Sequence, residues 1–144
     1  MKNILVATDF NAGSKKLFEA ACRLAEKFGS KIWVIHIAAP DPDFVGYDVG
    51  PQYIRTTRAE DLKKEHKMLQ QMAEDIEAKG ITAESLLVQG PTVKMILEEM
   101  EKLKIDLIVL GHVEHAFLYN AFFGSTAKEI LKKSKIPLLV IPLE

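Results

Sequence analysis

At 144 residues the chain has the length of one domain and can bury roughly 70% of its unfolded surface, so a single domain over residues 1–144 is expected. The 19 basic and 20 acidic residues leave a net charge of −1 in a chain that is 48% apolar and 27% charged, which gives no preference for nucleic acid or a membrane surface. Cys22 is the only cysteine, which excludes an intrachain disulfide. No run approaches the ~20 apolar residues of a membrane span or the apolar stretch of a secretory signal, so a soluble cytoplasmic protein is expected.

Along the chain, five short apolar runs read as strands: Ile4 to Ala7, Ile32 to Ile37, Leu86 to Val88, Leu107 to Leu110 and Leu138 to Ile141. Between them the periodicity turns helical. Leu17, Ala21, Leu24, Ala25 and Phe28 share one face of a first helix, in which Cys22 reads as a small apolar filler rather than a reactive thiol. A second helix, Gln52 to Lys79, carries Leu62, Leu69, Met72, Ala73 and Ile76, with a charge run from Arg58 to Lys67 that reads as a solvated face; a partner surface is the other reading. The third carries Val93, Ile96, Leu97, Met100 and Leu103, and the fourth Ala127, Ile130 and Leu131. Gly29 and Gly80 stand where the first two helices should stop, and Gly90-Pro91-Thr92 reads as a turn followed by an N-cap. The connection from Ala38 to Pro51, rich in Pro, Gly and Asp, has the length of a lid.

Strands that are apolar throughout, rather than at alternate positions, are buried on both faces. A parallel sheet between two layers of helices requires that. The expected fold is therefore a doubly wound, Rossmann-like α/β domain with a five-stranded parallel sheet in the order 3-2-1-4-5. In such sheets ligands bind beyond the carboxyl ends of the strands, where the strand order reverses. That rule points to the exits of strands one and four.

The first strand leaves through Thr8-Asp9 and the fourth through Leu110-Gly111, with Gly124-Ser125-Thr126 at the expected start of the fourth helix. A glycine after a buried strand permits a tight turn or a close backbone approach, and a Gly-Ser-Thr helix start offers amides and hydroxyls to an anion; the simpler reading is a turn and a helix cap. Asp9 is placed to accept hydrogen bonds from a ribose or an adenine amino group, or else to cap the first helix. The chain contains neither a Gly-x-x-x-x-Gly-Lys-Ser/Thr loop nor a Gly-x-Gly-x-x-Gly fingerprint. The third strand's exit, Val88-Gln89-Gly90, has no acidic residue to accept a phosphoryl group, and the first lacks the Ser-Gly-Gly-x-Asp-Ser of pyrophosphatase-type adenylating enzymes.

Three features together resemble the universal stress proteins over the whole chain: the Thr8-Asp9 exit, Val34-Ile35-His36-Ile37 closing strand two, and the strand-four loop followed by Ile136-Pro137-Leu138-Leu139-Val140. Nucleotide-binding members of that family carry Gly-x-x-Gly, nine residues, then Gly-Ser/Thr. Here the spacing is kept from Gly111 to Gly124-Ser125, but the second glycine is Glu114. The resemblance implies ATP or AMP, with Mg accompanying ATP. It places Thr8 and Asp9 at the adenosine, Ile37 at the base, and Gly111, Gly124, Ser125 and Thr126 at the phosphates, with Leu110 and Glu114 also in the site. His115, Leu118 and Tyr119 resemble the His-x-x-Leu-Tyr of such loops. A carboxylate at a phosphate contact is repelled by about 1 kcal/mol in water and by several in a less polar cleft, unless Glu114 turns outward and offers only its amide.

Other residues carry weaker signals. His112, Glu114 and His115 could hold zinc, but a structural site needs four ligands and no cysteine is near. His36, in an apolar strand, reads as a buried histidine paired with a backbone or carboxylate group; a pH switch is the other reading. Phe117 to Phe123 is strongly apolar for a loop, and so packs inward or meets a partner. Ser14, Ser125 and Ser134 have no histidine partner suggested by spacing, so dedicated catalysis is not expected, beyond weak ATP hydrolysis at most. The resemblance implies a homodimer formed through Leu138, Leu139, Val140 and Ile141. It leaves two functions open: a nucleotide-binding stress protein that signals through conformation or assembly, or an interaction module of the same fold that has lost the nucleotide.

Overall fold

The computed structural model describes residues 1–10, 13–38, 52–112 and 120–143, with 52–58 and 120–125 described by their backbone alone. In chain order the elements are β1 (Asn3–Ala7), α1 (Ser14–Phe28), β2 (Lys31–Ala38), α2 (Gln52–Glu77), β3 (Ala83–Gln89), α3 (Thr92–Lys102), β4 (Leu107–His112), α4 (Asn120–Lys133) and β5 (Leu138–Pro142). The sheet runs β3-β2-β1-β4-β5 with every pairing parallel, as the apolar runs predict. Val6 at its centre pairs with Val34 on one side and Val109 on the other.

The two-residue period of a strand divides the core in two. Ile4, Val6, Val34 and Val109 face α1 and α2, where they meet Leu17, Leu69 and Ile76. Leu5, Ala7, Ile35 and Leu110 face α3 and α4, where they meet Ile96, Met100 and Ile130. Helix α1 buries Leu17, Ala21, Cys22 and Ala25 and stops at Gly29, whose φ of 66° is left-handed and whose amide bonds to the Ala25 carbonyl. Among the described residues, no helix is long and apolar enough to cross a membrane.

Several local expectations need correction. Phe28 lies on the predicted apolar stripe but is 56% exposed. Helix α1 rises about 22 Å against about 17 Å for a five-residue strand, so its last turn outruns β1. Leu131, 67% exposed, lies about 100° round the helix axis from the buried Ile130, outside the packed face. Thr92 is the first helical residue rather than the N-cap; that position is Pro91, extended at φ −63° and ψ 128°. Helix α4 begins at Asn120 and not at Gly124-Ser125-Thr126. One glycine in its second turn costs about 1 kcal/mol, too little to hold off the helix. The connection over 38–51 lies, apart from Ala38, outside the described residues.

Candidate functional site

Where strand order reverses, the carboxyl ends of β1, β2 and β4 enclose a cavity of about 120 Å³. Ala7, Ile35, Ile37, Ile96 and Leu110 form its apolar wall, while Thr8, Asp9, His36, Thr92 and Thr126 bring the polar groups. Of the nine residues predicted for the site, Thr8, Asp9, Ile37, Leu110 and Thr126 line this space. Gly124 and Ser125 fall in the second turn of α4, and their side chains, like Glu114 and His115, lie outside the described residues.

Of the two uses open to Gly111, a tight turn or a close approach, the structure shows the second. It lies within β4, opposite Ile141 of β5, and it is buried. A side chain there would fall on Leu143 Cδ1. Gly111 is absent from the glycines with positive φ, so glycine is needed here for the close approach of the C-terminal strand, not for a turn.

The β1 exit is held from several directions. The Thr8 amide donates to the Ile35 carbonyl at 2.9 Å, continuing the ladder past the end of β1. The Thr8 and Ser14 hydroxyls share a 3.2 Å hydrogen bond, and the Phe10 amide donates to Thr8 Oγ1 at 3.1 Å. Phe10 takes φ 67°, a conformation that a bulky residue keeps only where its surroundings impose it. Its ring lies 4.4 Å from that of His36. Helix α1 starts at Ser14 with Gly13 at the N-cap, so Asp9 stands four residues before the cap and does not serve as the capping residue.

His36 is paired as predicted for a buried histidine. Its Nδ1 lies 2.7 Å from the Thr8 carbonyl oxygen, which only accepts, so Nδ1 carries the proton. Its Nε2 lies 3.8 Å from Oε2 of Glu65 on α2. That oxygen is buried and has no hydrogen-bond partner. Glu65 was hidden in the charge run taken as a solvated face. The available signal was its place four residues before the buried Leu69, on the apolar stripe of α2.

The remaining reactive residues are structural. Burial pushes the Cys22 thiol above its usual pKa against the opposing pull of Lys79, as suits a core filler. Ser134 is engaged by the backbone of Ile136, donating at 2.8 Å and accepting at 3.1 Å. Among the described residues no group of three or more His, Cys, Asp or Glu could hold a metal ion; of the predicted trio only His112 is described.

The family model of the universal stress protein family matches residues 1–142. The chain belongs to that family. A universal stress protein of Methanocaldococcus jannaschii is 27% identical over 146 residues, covering 97% of this chain and 81% of that one. Among solved structures, a universal stress protein in complex with cAMP superimposes at a TM-score of 0.72 and 19% identity, covering 99% of this chain and 98% of the other. The universal stress protein of Archaeoglobus fulgidus in complex with dAMP does so at 0.70 and 19%, covering 98% of each chain. At these identities the structural likeness establishes the fold.

Proposed function

We propose that this universal stress protein binds an adenine nucleotide, ATP or AMP, in the crevice between the ends of β1 and β4, and reports occupancy through conformation or assembly in the cytoplasm, with at most slow ATP hydrolysis. The observation that carries this reading is the cavity. Its walls are apolar on the strand side, and its polar groups are one carboxylate and three hydroxyls beside a histidine. At about 120 Å³ it equals about four waters of liquid volume, the scale of a purine base rather than a whole nucleotide. The base would lie against Ile37 and Leu110, and Asp9 would accept from ribose hydroxyls or the adenine amino group. The phosphates would extend toward Gly124, Ser125 and Thr126, where the two hydroxyls can donate to an anion, and Mg would travel with the ATP phosphates. The cAMP and dAMP carried by two relatives of the same fold support an adenine ligand.

Ligand extraction from purified protein, followed by calorimetric titration with Mg-ATP and with AMP, tests this. Bound nucleotide or saturable heat is expected, with at least about a tenfold loss of affinity in Asp9→Ala, which removes a charged hydrogen-bond acceptor. Neither nucleotide nor heat would overturn it. The alternative, a homodimeric interaction module without nucleotide, is favoured by the uncovered edge of β5, where Val140 is 43% exposed. Glu114→Gly separates the two. Affinity gained on substitution identifies a degenerate site, whereas strong binding unchanged shows that Glu114 turns away from the ligand. We propose the same β5 edge as the homodimer contact in either case.

A further inference from the structure

The least satisfied polar atom near the cavity is not in it but behind it. Glu65 Oε2 is buried without a hydrogen-bond partner, 3.8 Å from His36 Nε2. That gap is too long for a hydrogen bond and too short for a bridging water. With its proton on Nδ1, a neutral His36 turns the lone pair of Nε2 toward a carboxylate, so two acceptors face each other. One more proton on Nε2 changes the contact into a charge-assisted hydrogen bond, and a small side-chain rotation closes the distance.

We propose that His36 and Glu65 form a proton-dependent clamp that ties α2 to the exit of β1 and so positions one wall of the cavity. The connection is continuous. Glu65 belongs to α2, His36 to β2, and the opposite ring nitrogen of the same imidazole holds the Thr8 carbonyl at 2.7 Å. Thr8 and Asp9 follow β1 into the cavity wall. Phe10 packs its ring on the imidazole from a left-handed backbone, so a shift of His36 is felt at residues 8–10. His36 is thus a positioning residue, acting on the pocket through the Thr8 backbone.

The charged groups on the elements packed against His36 are few. Helix α2 brings Glu65, with Asp61 and Lys64 exposed beside it. The β1 exit brings Asp9, and α1 brings Lys15 and Lys16 on its exposed first turn. From β3, the residue paired with His36 is the apolar Leu87. Among the described residues, Glu65 is the one carboxylate within ion-pair distance of the ring. The clamp is made when Nε2 carries a proton and open when it does not.

The clamp does not depend on which ligand the cavity takes, so its test needs none. Hydrogen exchange would be followed by mass spectrometry on the whole chain from about pH 8 to about pH 5, the range of histidine protonation, with rates corrected for intrinsic exchange. Peptides covering residues 61–69 and 4–10 are expected to gain about tenfold in protection as pH falls, the scale of one charge-assisted hydrogen bond. In Glu65→Gln the amide donates to neutral Nε2, so protection is expected to become high at both ends of the range. In His36→Asn the bond to Thr8 has an isosteric donor but Nε2 is gone, and the pH step is expected to vanish. A wild-type profile without the step, or a step that survives both substitutions and so belongs to His66, His112 or His115, would overturn the proposal.

Discussion

Leu143 explains two glycines that lie far apart in sequence. A Cβ on Gly13 would come within 2.7 Å of Leu143 Cβ and 3.2 Å of its carbonyl oxygen, whereas one on Gly111 would meet the γ and δ carbons of the same side chain. Neither glycine needs its conformational freedom: Gly13 has φ −75°, and Gly111 is absent from the positive-φ residues. Each makes room for Leu143, the residue that follows β5. Overpacking of this kind costs about 1–3 kcal/mol. We expect Gly13→Ala at the upper end, because it meets backbone and Cβ, and Gly111→Ala at the lower, because a leucine tip can swing away. Leu143→Ala should then rescue Gly111→Ala but not Gly13→Ala, since alanine keeps the Cβ that Gly13 faces. Denaturant unfolding of the single and double variants measures this coupling; equal rescue of both would show that the approach of Leu143 is not what selects glycine.

Between elements, Asp106 fastens the start of β1 to the turn that enters β4. Its Oδ2 accepts from the amides of Asn3 at 2.9 Å and Lys2 at 2.7 Å, and these two bonds hold its carboxyl below the usual pKa, with smaller help from the N-terminal charge and Lys2. A carboxylate held low contributes stability that is fully present above its unfolded pKa of about 3.9 and is lost as pH falls through its lower folded value. Asp106→Ala should therefore be less stable than wild type at neutral pH, modestly so because water can replace the acceptor at this exposed site. The difference should shrink to nothing in acid below the folded pKa. Urea unfolding of both proteins at several pH values checks this; a gap that widens as pH falls would reverse the assigned sign.

The same scale shows what could be read from sequence. Central strands were legible because burial on both faces leaves no polar residue in Ile4 to Ala7 or Leu107 to Leu110. Strand β3 was recognised only over Leu86 to Val88, because it is an edge strand whose first half, Ala83-Glu84-Ser85, carries polar residues, Glu84 among them exposed. Helix faces were legible in direction but not in length, hence the exposed Phe28, nor in width, hence the exposed Leu131. In the site, Thr8, Asp9 and Leu110 followed from the rule of strand carboxyl ends, and Ile37 from the family resemblance. Glu65 and Leu143 did not, since each reaches its partners only through the way α2 or the C-terminal strand lies across the sheet.

The whole molecule has two sheet edges, and they are protected differently. On β3, Glu84 is exposed and its carboxylate meets Lys31 of β2 at 3.2 Å; charge on an edge discourages another strand from pairing there. Strand β5, Leu138-Leu139-Val140-Ile141-Pro142, has no charged residue, and its Val140 is 43% exposed. For this apolar edge without a charge we propose a second copy related by a two-fold axis, each β5 running antiparallel to the other. Sedimentation at micromolar concentration should accordingly find a dimer. Val140→Lys puts a charge on the seam and should shift the protein to monomer, while changing the monomer's own stability by no more than about 0.5 kcal/mol because the side chain is already at the surface. A wild-type monomer under these conditions would refute the assembly, and a Val140→Lys variant that still dimerises would move the contact away from β5. If occupancy of the cavity is reported through assembly, the signal has a short path: Leu110, in the cavity wall, pairs with Val140 across β4 and β5.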